Sequence, residues 1–200
     1  MMTMNANLDV RAIEELVTRI DAQLSGPNGK VIGFVASGSG EGTTTLVRAY
    51  AGAVLSRLQR RVLVLGCDNA AARPGVLAAL VAGSPLEDCL RPLPGGGFIG
   101  SLGGTDQAMW ELLVRPDLWD TLRARFDSIV LDLPATSVSR VAMVTAPHCD
   151  GVVVVLEAEK TRAPVVENLI ANLRSVGANL LGTVLNRRRY YLPQRVYQWL

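Results

Sequence analysis

The sequence contains no uninterrupted apolar run of the ~18 residues that a bilayer-spanning helix needs. Its opening stretch, MMTMNANLDVRAIEELV, lacks the basic and then apolar order of a signal peptide. Together these absences point to a cytoplasmic chain. Cysteine is scarce: Cys67, Cys89 and Cys149 are odd in number and have no metal-ligand spacing. The apolar settings of Cys67 and Cys149 suit small core residues better than ligands or disulfide partners. The single histidine, His148 in APHCD, reads as a loop residue without partners. Lysine is almost missing, since eighteen of the twenty basic residues are Arg and only Lys30 and Lys160 are Lys. A net charge of +2 over 200 residues is too small to argue for a nucleic-acid partner.

What is present is an ordinary globular composition, 49% hydrophobic and 19% charged, over a length that fits one domain with a real core. LDVRAIEELVTRIDAQL places Leu8, Ile13, Leu16, Val17, Ile20 and Leu24 on one helical stripe, which ends at SGPNG. KVIGFVAS then reads as a buried strand, TTTLVRAYAGAVLSRLQR as a helix and RVLVLGCD as the next strand. PGVLAALVAG reads as a short helix, PLPGGGFIG as an irregular loop or turn, and FIGSLGG as a candidate strand. DQAMWELLVRPDLWDTLRARF predicts a helix pair broken at Pro116. After it come strand SIVLDLP, helix SVSRVAMVTAPH, strand GVVVVLEA, helix APVVENLIANLRSVG and strand NLLGTVLN. Strands that are apolar throughout and alternate with helices predict an α/β fold, a mostly parallel sheet with helices on both faces. A ligand would then sit at the strand ends.

One loop suits that position. SGSGEGTTT, residues 37–45, follows a strand and opens a helix, as does the phosphate-binding pattern GxxxxGK[ST]. Aligning the second glycine of the pattern with Gly42 puts Thr44 at the Mg²⁺-ligating hydroxyl, Thr43 at the lysine and Ser37 at the first glycine. Asp68 and Asp132 close two apolar strands and would point to the same sheet edge. Each either caps a turn or helps to hold a metal there.

These segments resemble the cytoplasmic ATP-binding domain of bacterial tyrosine kinases, within the wider class of deviant Walker ATPases. The resemblance covers roughly residues 8–191 and rests on SGSGEGTTT, RRVLVLGCDNAAARP, RFDSIVLDLPA and the stretch from DGVVVVLEAEKTRAP to LNRRRYY. It implies a three-layer P-loop NTPase-like fold. The family's first motif is close to PGEGKST, and Gly40, Glu41 and Gly42 match its core. Its second motif survives as Asp68, with Gly66 where the first aspartate belongs, and its third as Asp132 and Pro134. Asn186 matches an asparagine that in such folds faces the adenine, and EAEKTRAP matches a stretch near the nucleotide edge, so that Lys160 either faces the cleft or is a solvated charge.

The resemblance thus implies a degenerate nucleotide site built from Gly40, Glu41, Gly42, Thr43, Thr44, Thr45, Arg48, Asp68, Asp132 and Asn186. Thr44, Asp68 and Asp132 are its Mg²⁺ ligands only if nucleotide binds. Without the lysine, Glu41 would leave the loop net negative, so no catalytic residue is expected and ATP or ADP with Mg²⁺ would be bound weakly or not at all. Arg48, one turn after Thr44, is a candidate substitute cation.

The resemblance also divides the chain into a helix and linker over 1–29, a degenerate P-loop domain over 30–186 and a basic tail over 187–200. No acidic residue follows Glu167, whereas Arg174, Arg187, Arg188, Arg189 and Arg195 do. The tail carries Tyr190, Tyr191 and Tyr197, which are phosphorylation candidates by the resemblance. It would either dock on a partner, lie on an anionic membrane surface or fold back on the domain. Thr18 stands where the family's ExxRxxR assembly pattern, begun here by Glu15, needs arginine, so that a homodimer is the assembly left open. The function implied is a catalytically impaired cytoplasmic partner of a membrane polysaccharide co-polymerase, a chain-length regulator in exopolysaccharide or capsule export. The alternatives are an active ATPase or tyrosine autokinase and a membrane-surface positioning ATPase.

Overall fold

The computed structural model describes residues 2–5, 10–26, 28–66, 75–103, 110–111 and 113–188. Its centre is an eight-stranded sheet in the order β1-β8-β7-β2-β6-β3-β5-β4. The strands are β1 (Met2–Asn5), β2 (Lys30–Ala36), β3 (Val62–Gly66), β4 (Leu90–Pro92), β5 (Phe98–Ser101), β6 (Ser128–Asp132), β7 (Gly151–Glu157) and β8 (Leu180–Arg188). All neighbours pair in parallel except β4, which runs antiparallel to β5.

Alternation along each strand feeds two separate cores, which is why the central strands are apolar at every position. Ile32, Phe34, Val64, Val130 and Val153 face α1 (Val10–Gln23) and α2 (Thr43–Leu58). Val31, Val35, Leu63, Leu131 and Val154 face the opposite layer. That layer holds α3 (Val76–Ala82), α4 (Pro116–Arg125), α5 (Val141–Thr145) and α6 (Ala163–Ser175). The expected α/β architecture, a mostly parallel sheet covered on both faces, is therefore the one observed.

The differences lie at the margins. The turn expected at PLPGGGFIG is there, with Gly95 and Gly96 at φ 93° and 100°, but it closes a hairpin in which Leu90–Pro92, not expected as a strand, pairs with Phe98–Ser101. Three residues ending in proline carry too short a pattern to announce a strand. SVSRVAMVTAPH is helical only over Val141–Thr145, with a 3₁₀ turn at Ala146–His148. The helix and linker set apart over residues 1–29 are continuous with the domain: Met2–Asn5 extends the sheet beside β8, and Ile13, Leu16, Val17 and Ile20 share one core with Tyr50. The proposed boundary at 186/187 falls inside β8, which runs on to Arg188.

The far edge of the sheet, where β2 and β7 begin, is fastened by Asp150. Its Oδ2 accepts from the Val31 amide at 2.7 Å and from Arg123 at 3.1 Å. His148 lies at this edge, away from the strand ends, and burial followed by the nearby Arg123 lowers its pKa below the ordinary value. Trp119 of α4 is 1% exposed and donates from Nε1 to the Leu113 carbonyl at 2.8 Å. Trp119→Ala should therefore cost about 3–5 kcal/mol through the cavity and the orphaned carbonyl, read as a lower urea midpoint at unchanged m-value.

Candidate functional site

β2, β3 and β6 end side by side at Ala36, Gly66 and Asp132, so their following loops converge on one edge. After Ala36 the chain turns through residues 37–42 and enters α2 at Thr43. Gly40 and Gly42 adopt φ 81° and 88°, the left-handed region that favours glycine. Space makes the second requirement stricter, because a Cβ on Gly42 would lie 2.3 Å from Asn186 Nδ2.

Two buried side chains hold this loop from behind. Glu41 is 6% exposed, and its Oε1 accepts from Ser37 Oγ at 2.7 Å, the Gly38 amide at 3.2 Å and Thr161 Oγ1 at 3.1 Å. Its Oε2 is buried and accepts no hydrogen bond among the described residues. Asn186, at the end of β8, donates from Nδ2 to the Glu41 carbonyl at 2.9 Å, while its Oδ1 accepts the Arg187 amide at 2.9 Å. Each end of the amide thus makes one bond inside the protein. Thr161 in turn donates from the turn after β7, so that the loop is braced against both β7 and β8.

In front of the loop opens a cleft of about 740 Å³. The sequence-derived residues Gly40, Gly42, Thr43, Thr44, Arg48 and Asp132 all line it. Glu41 and Asn186 do not: the Glu41 carboxyl turns inward to Ser37, Gly38 and Thr161, and Asn186 braces the loop through the Glu41 carbonyl. Thr45 is exposed on α2 and off the cleft wall. Lys160 is solvated: its side chain is 70% exposed and pairs with Glu157 at 2.9 Å, and together with Arg187 it holds the Glu157 carboxyl below the usual carboxylate range. Glu15 pairs with Arg19 on the surface of α1. Asp68, Cys67 and the tail tyrosines Tyr190, Tyr191 and Tyr197 lie outside the described residues.

Sequence reasoning missed three parts of this edge. Thr161 completes the brace on Glu41. Arg187, assigned to the tail, stands on the cleft wall and pairs with Glu157 at 3.5 Å. Arg91 lines the cleft from β4, a strand the sequence did not announce. No motif spacing reaches Arg91; only its pairing opposite Ile99 brings it there.

The cradle fits a phosphate group, since glycine-permitted backbone leads into a helix start beside an open cleft. Thr44 and Asp132 share that cleft, and no group of three His, Cys, Asp or Glu able to hold a metal occurs among the described residues. The place of the loop lysine is taken by Thr43, half-buried and uncharged.

The succinoglycan biosynthesis transport protein ExoP of Rhizobium meliloti is 27% identical over 188 residues, which cover 84% of this chain and 23% of that protein. The chromosome-partitioning ATPase Soj of Thermus thermophilus is 33% identical over 153 residues, covering 72% of this chain and 60% of that one. The kinase domain of Escherichia coli tyrosine kinase ETK superposes with a TM-score of 0.77 at 19% identity, over 94% of this chain and 81% of that one. The VpsO kinase domain superposes at 0.73 with 26% identity, over 88% and 94%. The fold is that of the P-loop ATPases. The homologues of this chain include ExoP and the VpsO kinase domain. No family model matches it, and it spans about a quarter and three fifths of the two curated relatives. Among the described residues no helix is long and apolar enough to cross a membrane.

If Asn186 braces the loop, Asn186→Ala should cost about 1–3 kcal/mol, since it strands the buried Glu41 carbonyl. Hydrogen exchange should quicken at residues 38–43 while β3 stays protected. Unchanged exchange in the loop would remove the brace from the account.

Proposed function

We propose that this chain is a non-catalytic P-loop domain that works by binding, as a partner or regulator in exopolysaccharide or capsule production and export. The observation that carries this reading is a braced phosphate cradle whose only side chain at the lysine position is Thr43. Phosphoryl transfer is catalysed by positioning and by neutralising charge on the phosphates, so a cradle without that cation keeps position and loses neutralisation. The missing charge-assisted hydrogen bond is worth about 1.5–3 kcal/mol, or roughly 10- to 150-fold in affinity. The deficit grows as charge develops in the transition state. Gly66 lies in register between Asp132 and Ser101, so the end of β3 adds no carboxylate at that position.

The exopolysaccharide setting rests on the homology to ExoP, named as a succinoglycan biosynthesis transport protein. In that setting the partner would be a membrane polysaccharide co-polymerase, with the chain held at the cytoplasmic face through it. The basic tail, with Tyr190, Tyr191 and Tyr197, is the proposed docking segment, to the partner or to an anionic lipid surface. A homodimer is compatible with this arrangement and is tested by its sedimentation.

Arg48 on the cleft wall favours one second reading, an ATPase or tyrosine autokinase whose cation comes from α2. A single experiment separates the two. The wild-type chain incubated with Mg·ATP should release no phosphate above a protein-free blank and form no phosphotyrosine. Thr43→Lys should bind Mg·ATP roughly 10- to 150-fold tighter by calorimetry. Steady phosphate release by the wild type, abolished in Arg48→Ala, would establish the second reading and overturn the first.

A further inference from the structure

On one face of the sheet the helical layer stops short. α1 and α2 cover the face formed by Ile32, Phe34, Val64 and Val130, and α2 packs on β2, β3 and β6. Beyond β3 the same face continues over β5 and β4, where Ile99 and Leu93 are only half-buried and no described helix lies over them. The opposite face of those two strands is closed, with Leu90 buried against Val76 and Leu86. Neighbouring strands lie about 4.8 Å apart, so β5 and β4 make an open strip roughly 10 Å wide, the diameter of one α-helix.

The flank of α2 that borders this strip carries Arg48, Gly52 and Leu55, spaced i, i+4 and i+7. Leu55 fixes its direction, since a Cβ on Gly97 of the hairpin would lie 3.0 Å from Leu55 Cδ1. Arg57, on the other flank, pairs with Glu14 of α1. Gly52 is exposed in mid-helix, and a Cβ there would meet nothing within 4 Å, so crowding does not ask for glycine. Glycine weakens a helix interior relative to alanine, and what it leaves here is room for a second backbone close to α2. Arg48 and Arg91 approach the strip from α2 and β4, exposed and without an ion pair or hydrogen bond to any described residue. Val47, Val64 and Ile99 line the same depression with them.

We infer that the strip over β5 and β4 is the docking site of an acidic amphipathic helix of a partner protein, which lies beside α2 and completes the layer. Its apolar stripe would cover Ile99, Leu93 and Leu55, and carboxylates on its flanks would meet Arg48 and Arg91. Guanidinium groups stay charged at any working pH and match carboxylate oxygens two at a time, which suits them to both rims. Charge selects this occupant over the chain's own tail, since residues 189–200 add Arg189 and Arg195 and no acid. It also selects it over α1 of a second copy, whose Glu14, Glu15 and Asp21 already pair with arginines. Shape selects it over a lipid surface, because a strip recessed beside α2 takes a rod, whereas a flat bilayer reaches only its rim. With β5 four residues long and β4 three, the strip runs for about 10–13 Å, or roughly two helical turns, the scale of a transient contact. This surface is apart from the phosphate cradle and holds its occupant whatever the cradle takes.

The test is fluorescence anisotropy of the full chain with a labelled peptide that carries leucine at i, i+3, i+4 and i+7 and glutamate elsewhere, beside the same peptide with lysine for glutamate. The acidic peptide should bind about tenfold or more tighter than the basic one. Arg48→Glu combined with Arg91→Glu should reverse that order, and because both arginines are exposed the melting curve should stay in place. Gly52→Leu should weaken the acidic peptide about tenfold or more by filling the space beside α2, while its melting temperature holds or rises, leucine being the better helix former. Arg125→Glu, on the exposed surface of α4 in the opposite layer, should leave binding unchanged. The inference fails if the two peptides bind alike, if charge reversal leaves their order in place, or if Gly52→Leu binds like the wild type. It fails equally if vesicles containing phosphatidylserine, and not the peptide, are held through Arg48 and Arg91. Any of these results leaves the non-catalytic reading standing, whereas phosphate release from Mg·ATP would overturn that reading and not this surface.

Discussion

The loop between β2 and α2 has its shape because one buried carboxyl group is shared among three donors. Glu41 Oε1 gathers the Ser37 hydroxyl, the Gly38 amide and the Thr161 hydroxyl, so the start of the loop, its middle and the turn after β7 meet at a single oxygen. Burying such a group is costly unless it is well bonded, and removing any donor would leave the others around an underused acceptor. Asn186 locks the same residue from its main-chain side. Position 42 then has to be glycine, because the amide of Asn186 fills the volume that a side chain would occupy. The front of the loop is thus dictated from behind.

That arrangement separates two properties that an intact P-loop combines. Backbone shape comes from the Glu41–Asn186–Thr161 brace and owes nothing to a lysine. The cationic side chains on the described cleft wall belong to other elements: Arg48 one turn into α2, Arg91 in β4 and Arg187 just past the brace. The acid of the loop, facing inward, contributes bonds rather than repulsion at the cleft wall. The fold of the loop therefore does not depend on a cation at position 43, because other residues hold its shape.

The layout of the fold was legible because the hydrophobic pattern answers to geometry directly. VIGFVA, VLVL, IVL and VVVVL are apolar at every step because helices cover both faces, and a parallel, doubly covered sheet is what such runs mean. β1 and β4 were not legible, being edge strands of four and three residues whose pairing is decided by neighbours rather than by their own periodicity. At the site, the residues adjoining the glycine loop were found from spacing: Gly40, Gly42, Thr43, Thr44 and Arg48 all line the cleft. The direction of Glu41 was not, since it depends on Thr161, 120 positions away. Arg91 was missed for the same reason in another form, as a lone arginine in a glycine-rich stretch gains meaning only from the hairpin that carries it.

The same logic sorts the positions of the loop by what the fold requires of them. Glycine is required where a Cβ would collide or where φ is positive, and Glu41 stands where three donors meet. Both requirements are enforced by folding and hold whether or not any phosphate is ever transferred. Thr43, by contrast, stands half-buried on the cleft wall, and its side chain takes no part in the brace behind the loop. The shape of the loop is therefore fixed by contacts that fold the chain, independently of which side chain stands at position 43.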